Sequence, residues 1–267
     1  MNKKESLLDQ SLLIPFAILT AISIVFIYSS SSVVADTDFG NQYFYLQRQL
    51  IALSIGLLAG SIFLFIPISF YKENGLLLIL FSAFLLTLVF IPGIGVEKNG
   101  SLRWINIGFN IQPSEIAKIF VPIYLCGYCL RRKEQLENSW WGFIKPLILT
   151  SIISILLLLE MDLGATVVIF AIGIIILFIG GAKFNQLLLL FLVFLSTVIL
   201  IAYFNEERWS RVISFSNPWD DVGNSDYQLI NALVASVQGG FSGLGIGEST
   251  QKYYFLPESH TDFIFSI

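Results

Sequence analysis

The sequence is poor in charge. Of its 267 residues only 13% are Asp, Glu, Lys or Arg, whereas 55% are hydrophobic and the mean hydropathy is +0.78. A soluble domain carries about 25% charged and about 45–50% apolar residues, so this composition excludes a soluble enzyme. Basic charge is scarcer still, 15 Lys and Arg against 19 Asp and Glu, for a net charge of -4. That balance removes the electrostatic basis for nucleic-acid binding. Histidine occurs once, at His260, which excludes HExxH zinc sites and facial-triad iron centres, so a catalytic metal would need oxygen ligands. Cysteine occurs twice, at Cys126 and Cys129. The CxxC spacing suits redox or metal chemistry in a soluble setting. Here both residues lie in the apolar run Ile119 to Leu130 without a second pair, and they are read as small packing residues, with no disulfide framework.

Long apolar runs, by contrast, are plentiful. Candidate spans cover Leu12 to Ser32, Ile51 to Phe70, Leu76 to Ile91, Ser114 to Leu130, Pro146 to Leu159, Ala165 to Gly180 and Leu187 to Phe204, most of them near the roughly 20 residues that cross a hydrocarbon core as a helix. The expected fold is all-α, a polytopic transmembrane bundle of seven spans with the start of an eighth, forming one membrane domain over residues 1–267. Lys3 and Lys4 precede the first run, but its core exceeds a signal peptide's apolar region of about 7–15 residues and further spans follow, so it is read as a retained anchor. Arg131, Arg132 and Lys133 in one short loop place that loop, and with it the amino terminus, on the cytoplasmic side.

Residues 205–256 then face outward. Ser225 and Gln228 match a capping box, and Tyr227, Ile230, Leu233, Val234 and Val237 recur at helical spacing up to Gly239 and Gly240. This predicts an ordered extracytoplasmic loop carrying an amphipathic helix, pictured as a lid over the mouth of the bundle. The glycine-rich stretch Gly239 to Gly247 lacks the Lys-Ser/Thr of a nucleotide-binding loop and does not fit GxGxxG. Phe263 to Ile267 opens an apolar segment too short to span, from which a truncated sequence is expected.

Ionisable groups within a bilayer cost about 2.5–3.5 kcal/mol each on insertion scales and persist where they pair or line a wet cavity. Glu115 and Lys118 follow Pro113 at a spacing that shares one helix face; such a pair serves a cavity or simply neutralises a helix end. Glu160 and Asp162 interrupt the apolar pattern between two spans, where Asp162 reads either as a site carboxylate or as an ordinary loop residue. Arg48 and Arg103 lie just outside spans two and four. Two guanidiniums at a bundle mouth match the oxygens of a diphosphate bidentately, or they snorkel at the interface. In Leu256 to Phe263, Asp262 is a carboxylate at a water–lipid boundary, where partial desolvation favours a general base; the same residue also suits a helix N-cap.

Several separated blocks occur in order: Asn99 to Ile105 (NGSLRWI), Gln112 to Lys118 (QPSEIAK), Asp162-Leu163-Gly164, Asn217 to Asp220 (NPWD) and Leu256 to Phe263 (LPESHTDF). In this combination the chain resembles the SEDS family (shape, elongation, division and sporulation), with Pro218-Trp219-Asp220 more similar to the division-type than to the elongation-type branch. The resemblance implies a peptidoglycan glycosyltransferase of the bacterial inner membrane that polymerises lipid II at the division septum. The implied partners are a class B penicillin-binding protein and other division proteins.

By motif position the resemblance implies Asp262 as the catalytic carboxylate and Arg48, Arg103, Glu115, Lys118 and Asp162 as residues lining the polar cavity, with Glu258 and His260 flanking. A divalent cation, Mg or Mn, is the only cofactor considered. Family members resemble ten-helix proteins, so a chain stopping at the eighth is expected to be inactive alone. The rival readings are a lipid II flippase, which would also need charges inside a bundle, a scaffold that recruits septal enzymes, and the elongation-type polymerase.

Overall fold

A computed structural model describes residues 9–98, 101–106, 108, 110–205, 209–210, 227–240, 243–245, 247–249 and 263–266. Helices run over α1 Gln10–Phe39, α2 Phe44–Phe65, α3 Ile68–Leu88, α4 Pro113–Arg131, α5 Lys133–Asn138, α6 Trp140–Leu159, α7 Leu163–Ile179, α8 Phe184–Tyr203 and α9 Tyr227–Gly239. Each of the seven apolar runs lies mainly on one helix, but Ile51 to Phe70 crosses a break: α2 ends at Phe65, and the run continues through the extended Pro67 into the first turn of α3. Five of these helices, α1, α2, α3, α6 and α8, are long and apolar enough to cross a membrane, and the chain is a multi-pass membrane helix bundle. The runs understate the helices, because polar and aromatic residues at a membrane boundary continue the turn. Thus α2 begins at Phe44 rather than Ile51, and α6 at Trp140 rather than Pro146.

One element is not helical. Gly95–Lys98 (β1), Ser101–Asn106 (β2) and Asn110–Ile111 (β3) form an antiparallel sheet in the order β1-β2-β3. Gly95 pairs with Ile105 and Lys98 with Ser101, with a register shift between Val96 and Glu97. Ile105 also pairs with Ile111. The composition, which points to helices throughout, hides this sheet. Its cue is the Asn99-Gly100 dipeptide between two short runs, the commonest two-residue hairpin signal.

The chain divides into two compact units, one of residues 1–65 and 199–267 and one of Ile66–Val198. In the first, α1 starts where Asp9 accepts a hydrogen bond from the Ser11 N–H and ends at Gly40, which adopts φ 65° and returns its N–H to the Asp36 carbonyl. The turn into α2 is closed by stacking of Phe39 on Phe44 and of Tyr28 on Tyr43. The helix α9 runs through the predicted residues and stops at Gly239, with Ile230 and Ala232 buried. Ser225 of the expected capping box lies outside the described residues.

The second unit is built around α4. Pro113 occupies its first position, Glu115 its first turn and Arg131 its last, each at the end of the helix dipole that suits it. Ala117, Val121, Tyr124 and Leu125 repeat at helical spacing and pack with Ile79 and Leu86 of α3, Ile153 and Leu157 of α6 and Ile169 of α7. A second cluster joins Cys129, Leu136, Phe143, Leu177 and Leu187. Small residues set the spacing between these helices. A β-carbon added at Gly75 would stand 3.1 Å from the Tyr124 Cα, and one at Gly180 would stand 2.6 Å from the Cys129 sulfur. Cys129 is therefore a packing residue, and both cysteines are free.

Gly142 is the tightest of the helical contacts. Its carbonyl accepts from the Tyr128 hydroxyl at 2.7 Å, and a β-carbon there would lie 2.0 Å from the Gln135 carbonyl oxygen. We predict that Gly142→Ala lowers unfolding stability by about 1–3 kcal/mol. Gly173→Ala, whose added carbon meets only Leu125 Cδ1 at 3.5 Å, should be close to neutral. Thermal unfolding in detergent compares the two.

Candidate active site

The polar centre of the second unit grows from a three-residue turn. Helix α6 ends with Met161 N–H bonded to the Leu158 carbonyl (3.0 Å) and Asp162 N–H bonded to the Leu157 carbonyl (2.9 Å), the paired bonds of a Schellman cap. The residue that must turn left-handed in such a cap is usually glycine, and α7 ends that way at Gly181, φ 99°. In α6 the position is filled by Met161 at φ 61°, a conformation that costs an L-residue roughly 1–2 kcal/mol.

Arg103 of β2 braces that turn. Its Nη2 donates to the Met161 carbonyl at 2.7 Å and its Nε to the Glu160 carbonyl at 3.4 Å. Asp162 completes the connection. Its Oδ1 accepts the Ala165 N–H at 3.0 Å and so caps α7, its Oδ2 accepts from Gln112 Nε2 at 3.2 Å, and its own carbonyl accepts the Thr166 hydroxyl at 2.8 Å. The side chain is 6% exposed. Through Arg103, Gln112 and Asp162, the sheet, the start of α4 and the junction of α6 with α7 are tied together.

Lys118 and Glu115 form an ion pair at 2.6 Å one turn into α4, with Glu115 the more exposed partner. Arg48 belongs to the first unit, lies inside α2 rather than beyond it, and holds its guanidinium 4.5 Å above the Phe44 ring. Asp262, Glu258 and His260 lie outside the described residues. The structure thus brings Arg103 and Asp162 to one turn and pairs Glu115 with Lys118. It also adds Gln112, which sequence reasoning missed as a site residue although it immediately precedes the helix-starting Pro113.

Glu160, just beyond the α6 span, is 1% exposed, and among the described residues neither of its carboxylate oxygens has a hydrogen-bond partner. Burial pushes its carboxyl up to about 8; the neighbouring Asp162 charge raises it further, while Arg103 opposes. The folded protein therefore keeps this proton where the unfolded chain, at the ordinary value of 4.5, has released it. Stability from this group is full below 4.5 and falls as pH rises through about 8. Glu160→Gln, which copies the neutral form, should flatten the decline of the unfolding midpoint over that window. An undiminished decline in the variant would contradict the assignment.

Comparison with known proteins places this arrangement. Residues 9–267 match the family model for the FtsW, RodA and SpoVE group, described as "Cell cycle protein". A probable peptidoglycan glycosyltransferase FtsW from Pseudomonas fluorescens is 42% identical over 97% of this chain and 64% of its own length. The protein of that name from Saccharophagus degradans is 43% identical over 97% of this chain and 67% of its own. The chain thus spans about two thirds of these relatives. Among solved structures, a peptidoglycan synthase complex described as coordinating polymerization and crosslinking aligns with a TM-score of 0.67 at 25% identity, over 86% of this chain and 65% of that one. The rod shape determining protein RodA of Thermus thermophilus aligns at 0.57 and 28% identity, over 70% and 58%.

Proposed function

The chain belongs to the cell cycle protein family of FtsW, RodA and SpoVE, the SEDS family, and from that premise we propose that it is a division-type peptidoglycan glycosyltransferase. It joins lipid II into β-1,4 glycan strands at the septum. The observation that carries this reading is the 42% identity to a probable FtsW glycosyltransferase over 97% of the chain. It resides in the bacterial inner membrane with its amino terminus in the cytoplasm, a sidedness supported by Arg131, Arg132 and Lys133 in one short connection. Its partner is a class B penicillin-binding protein, a reading supported by the likeness to a complex that couples polymerization to crosslinking.

Chemistry follows from the substrate. Lipid II carries an α-linked diphosphate and the product is β-linked, so a single inverting displacement suffices. The acceptor 4-hydroxyl loses its proton to Asp262, its oxygen bonds to the anomeric carbon, and the bond to the undecaprenyl diphosphate breaks with the electron pair leaving on oxygen. Charge accumulates on the leaving group. Arg103 grips the 160–162 turn by Nε and Nη2, leaving Nη1 to meet a diphosphate oxygen. Glu115, Lys118 and Asp162 keep the cavity polar, and Glu258 and His260 flank the base.

Among the described residues no three His, Cys, Asp or Glu side chains gather. A Mg or Mn ion would be held through the Asp262 carboxylate and diphosphate oxygens, as Mg sites on phosphate substrates commonly are. Such an ion would supply further charge neutralisation at the leaving group.

Asp262→Asn preserves size and removes basicity. In proteoliposomes with lipid II and the penicillin-binding partner, the variant should lose glycan polymerisation by about 10²–10⁴-fold, read as strand length on a gel. Polymer formation at the wild-type rate would remove Asp262 from the role of base. If both proteins leave lipid II unpolymerised but move it across the bilayer, transport replaces polymerisation as the function.

A further inference from the structure

The second unit holds a cavity that the transferase reading does not use. Between the start of α3 and the second half of α4 lies a largely apolar groove of about 220 Å³, lined by Ile68, Tyr71 and Lys72 of α3 and by Ile123, Cys126 and Leu130 of α4. One glycine shapes it. Gly127 also lines the groove, and a β-carbon there would stand 3.2 Å from the Lys72 carbonyl oxygen and 3.0 Å from Arg131 Nη1. Because that space is empty, Arg131 reaches across from α4 and donates to the Lys72 carbonyl.

The end of the groove is therefore cationic. Lys72, Arg131 and Arg132 are exposed, and among the described residues none of the three pairs with a carboxylate. Lys133, the next cation along, does pair, with Glu137 at 3.8 Å. An apolar slot bordered by cations without a carboxylate partner among the described residues has the polarity of one ligand class: a long acyl chain carrying an anionic head. Basic pockets between membrane helices take anionic lipid headgroups on this principle. We propose that the α3–α4 groove binds an anionic phospholipid, with an acyl chain along Ile68, Ile123 and Cys126 and its phosphate against Lys72 and Arg131. The occupant is distinct from the diphosphate substrate, since the groove shares no residue with the Arg103–Asp162 turn.

Native mass spectrometry of the detergent-purified protein, titrated with dioleoylphosphatidylglycerol or dioleoylphosphatidylcholine, tests this. Wild type should retain the anionic lipid preferentially. Lys72→Gln should lower that preference about fivefold, as expected for one basic residue near a membrane surface. Cys126→Leu should reduce retention of the anionic lipid by filling the slot while leaving all charges in place. Lys183→Gln, on the α7–α8 connection, is the control for bulk electrostatics. Equal lipid preference in Lys72→Gln and wild type would overturn the proposal. So would unchanged retention in Cys126→Leu, or a loss in Lys183→Gln as large as in Lys72→Gln. Thermal unfolding of each variant establishes that it is folded when measured.

Discussion

The polar end of the second unit depends on one guanidinium. Arg103 hooks the backbone carbonyls of Glu160 and Met161, and with that contact a small sheet, a helix–helix turn and a helix cap become one assembly. A non-glycine residue in a left-handed conformation persists only when its surroundings over-determine it. Met161 meets that condition: the Schellman bonds hold its N–H, and Arg103 holds its carbonyl. Because the next residue, Asp162, both caps α7 and binds Gln112, a change in the turn would be felt at the start of α4 as well.

Why such economy is needed follows from the solvent. A lipid interior offers no partner to a polar group, so each must be satisfied within the protein or placed where water reaches. In this molecule the charges are gathered at helix ends and connections, while helices approach one another at small residues such as Gly75 within α3 and Gly180 at the end of α7. Among the described residues the exceptions are the Ser114 hydroxyl and Glu160. Glu160 answers that constraint by holding its proton. The same separation is seen at the α3–α4 groove, where an apolar slot is bordered by the cations Lys72 and Arg131.

Much of the fold could be read from apolar run length, because each long run lies mainly on a helix here, although Ile51 to Phe70 runs across the break at Pro67 between α2 and α3. Run length failed at boundaries. The start of α2 includes Phe44, Tyr45 and Arg48, an interfacial segment whose helicity is not signalled by hydropathy. It failed also at the sheet, whose strands are too short to alter the composition, although Asn99-Gly100 marked their connection. Among site residues, Arg103, Asp162, Glu115 and Lys118 were visible as charges in an apolar chain. Gln112 was not, since an uncharged amide beside a proline carries no distinctive signal. The left-handed turn at Met161 was invisible for a plainer reason: nothing about methionine favours that conformation, which the helix-end hydrogen bonds and the tertiary contact from Arg103 hold together.

The most direct test of this account is amide hydrogen exchange across residues 156–166 in wild type and Arg103→Ala, measured in lipid nanodiscs. If Arg103 holds the turn, the amides of Met161 and Asp162 should exchange at least about tenfold faster in the variant, as expected for losing hydrogen bonds to a charged group, while the middle of α6 stays protected. Equal exchange at those two amides would show that the turn stands without Arg103 and would contradict the account.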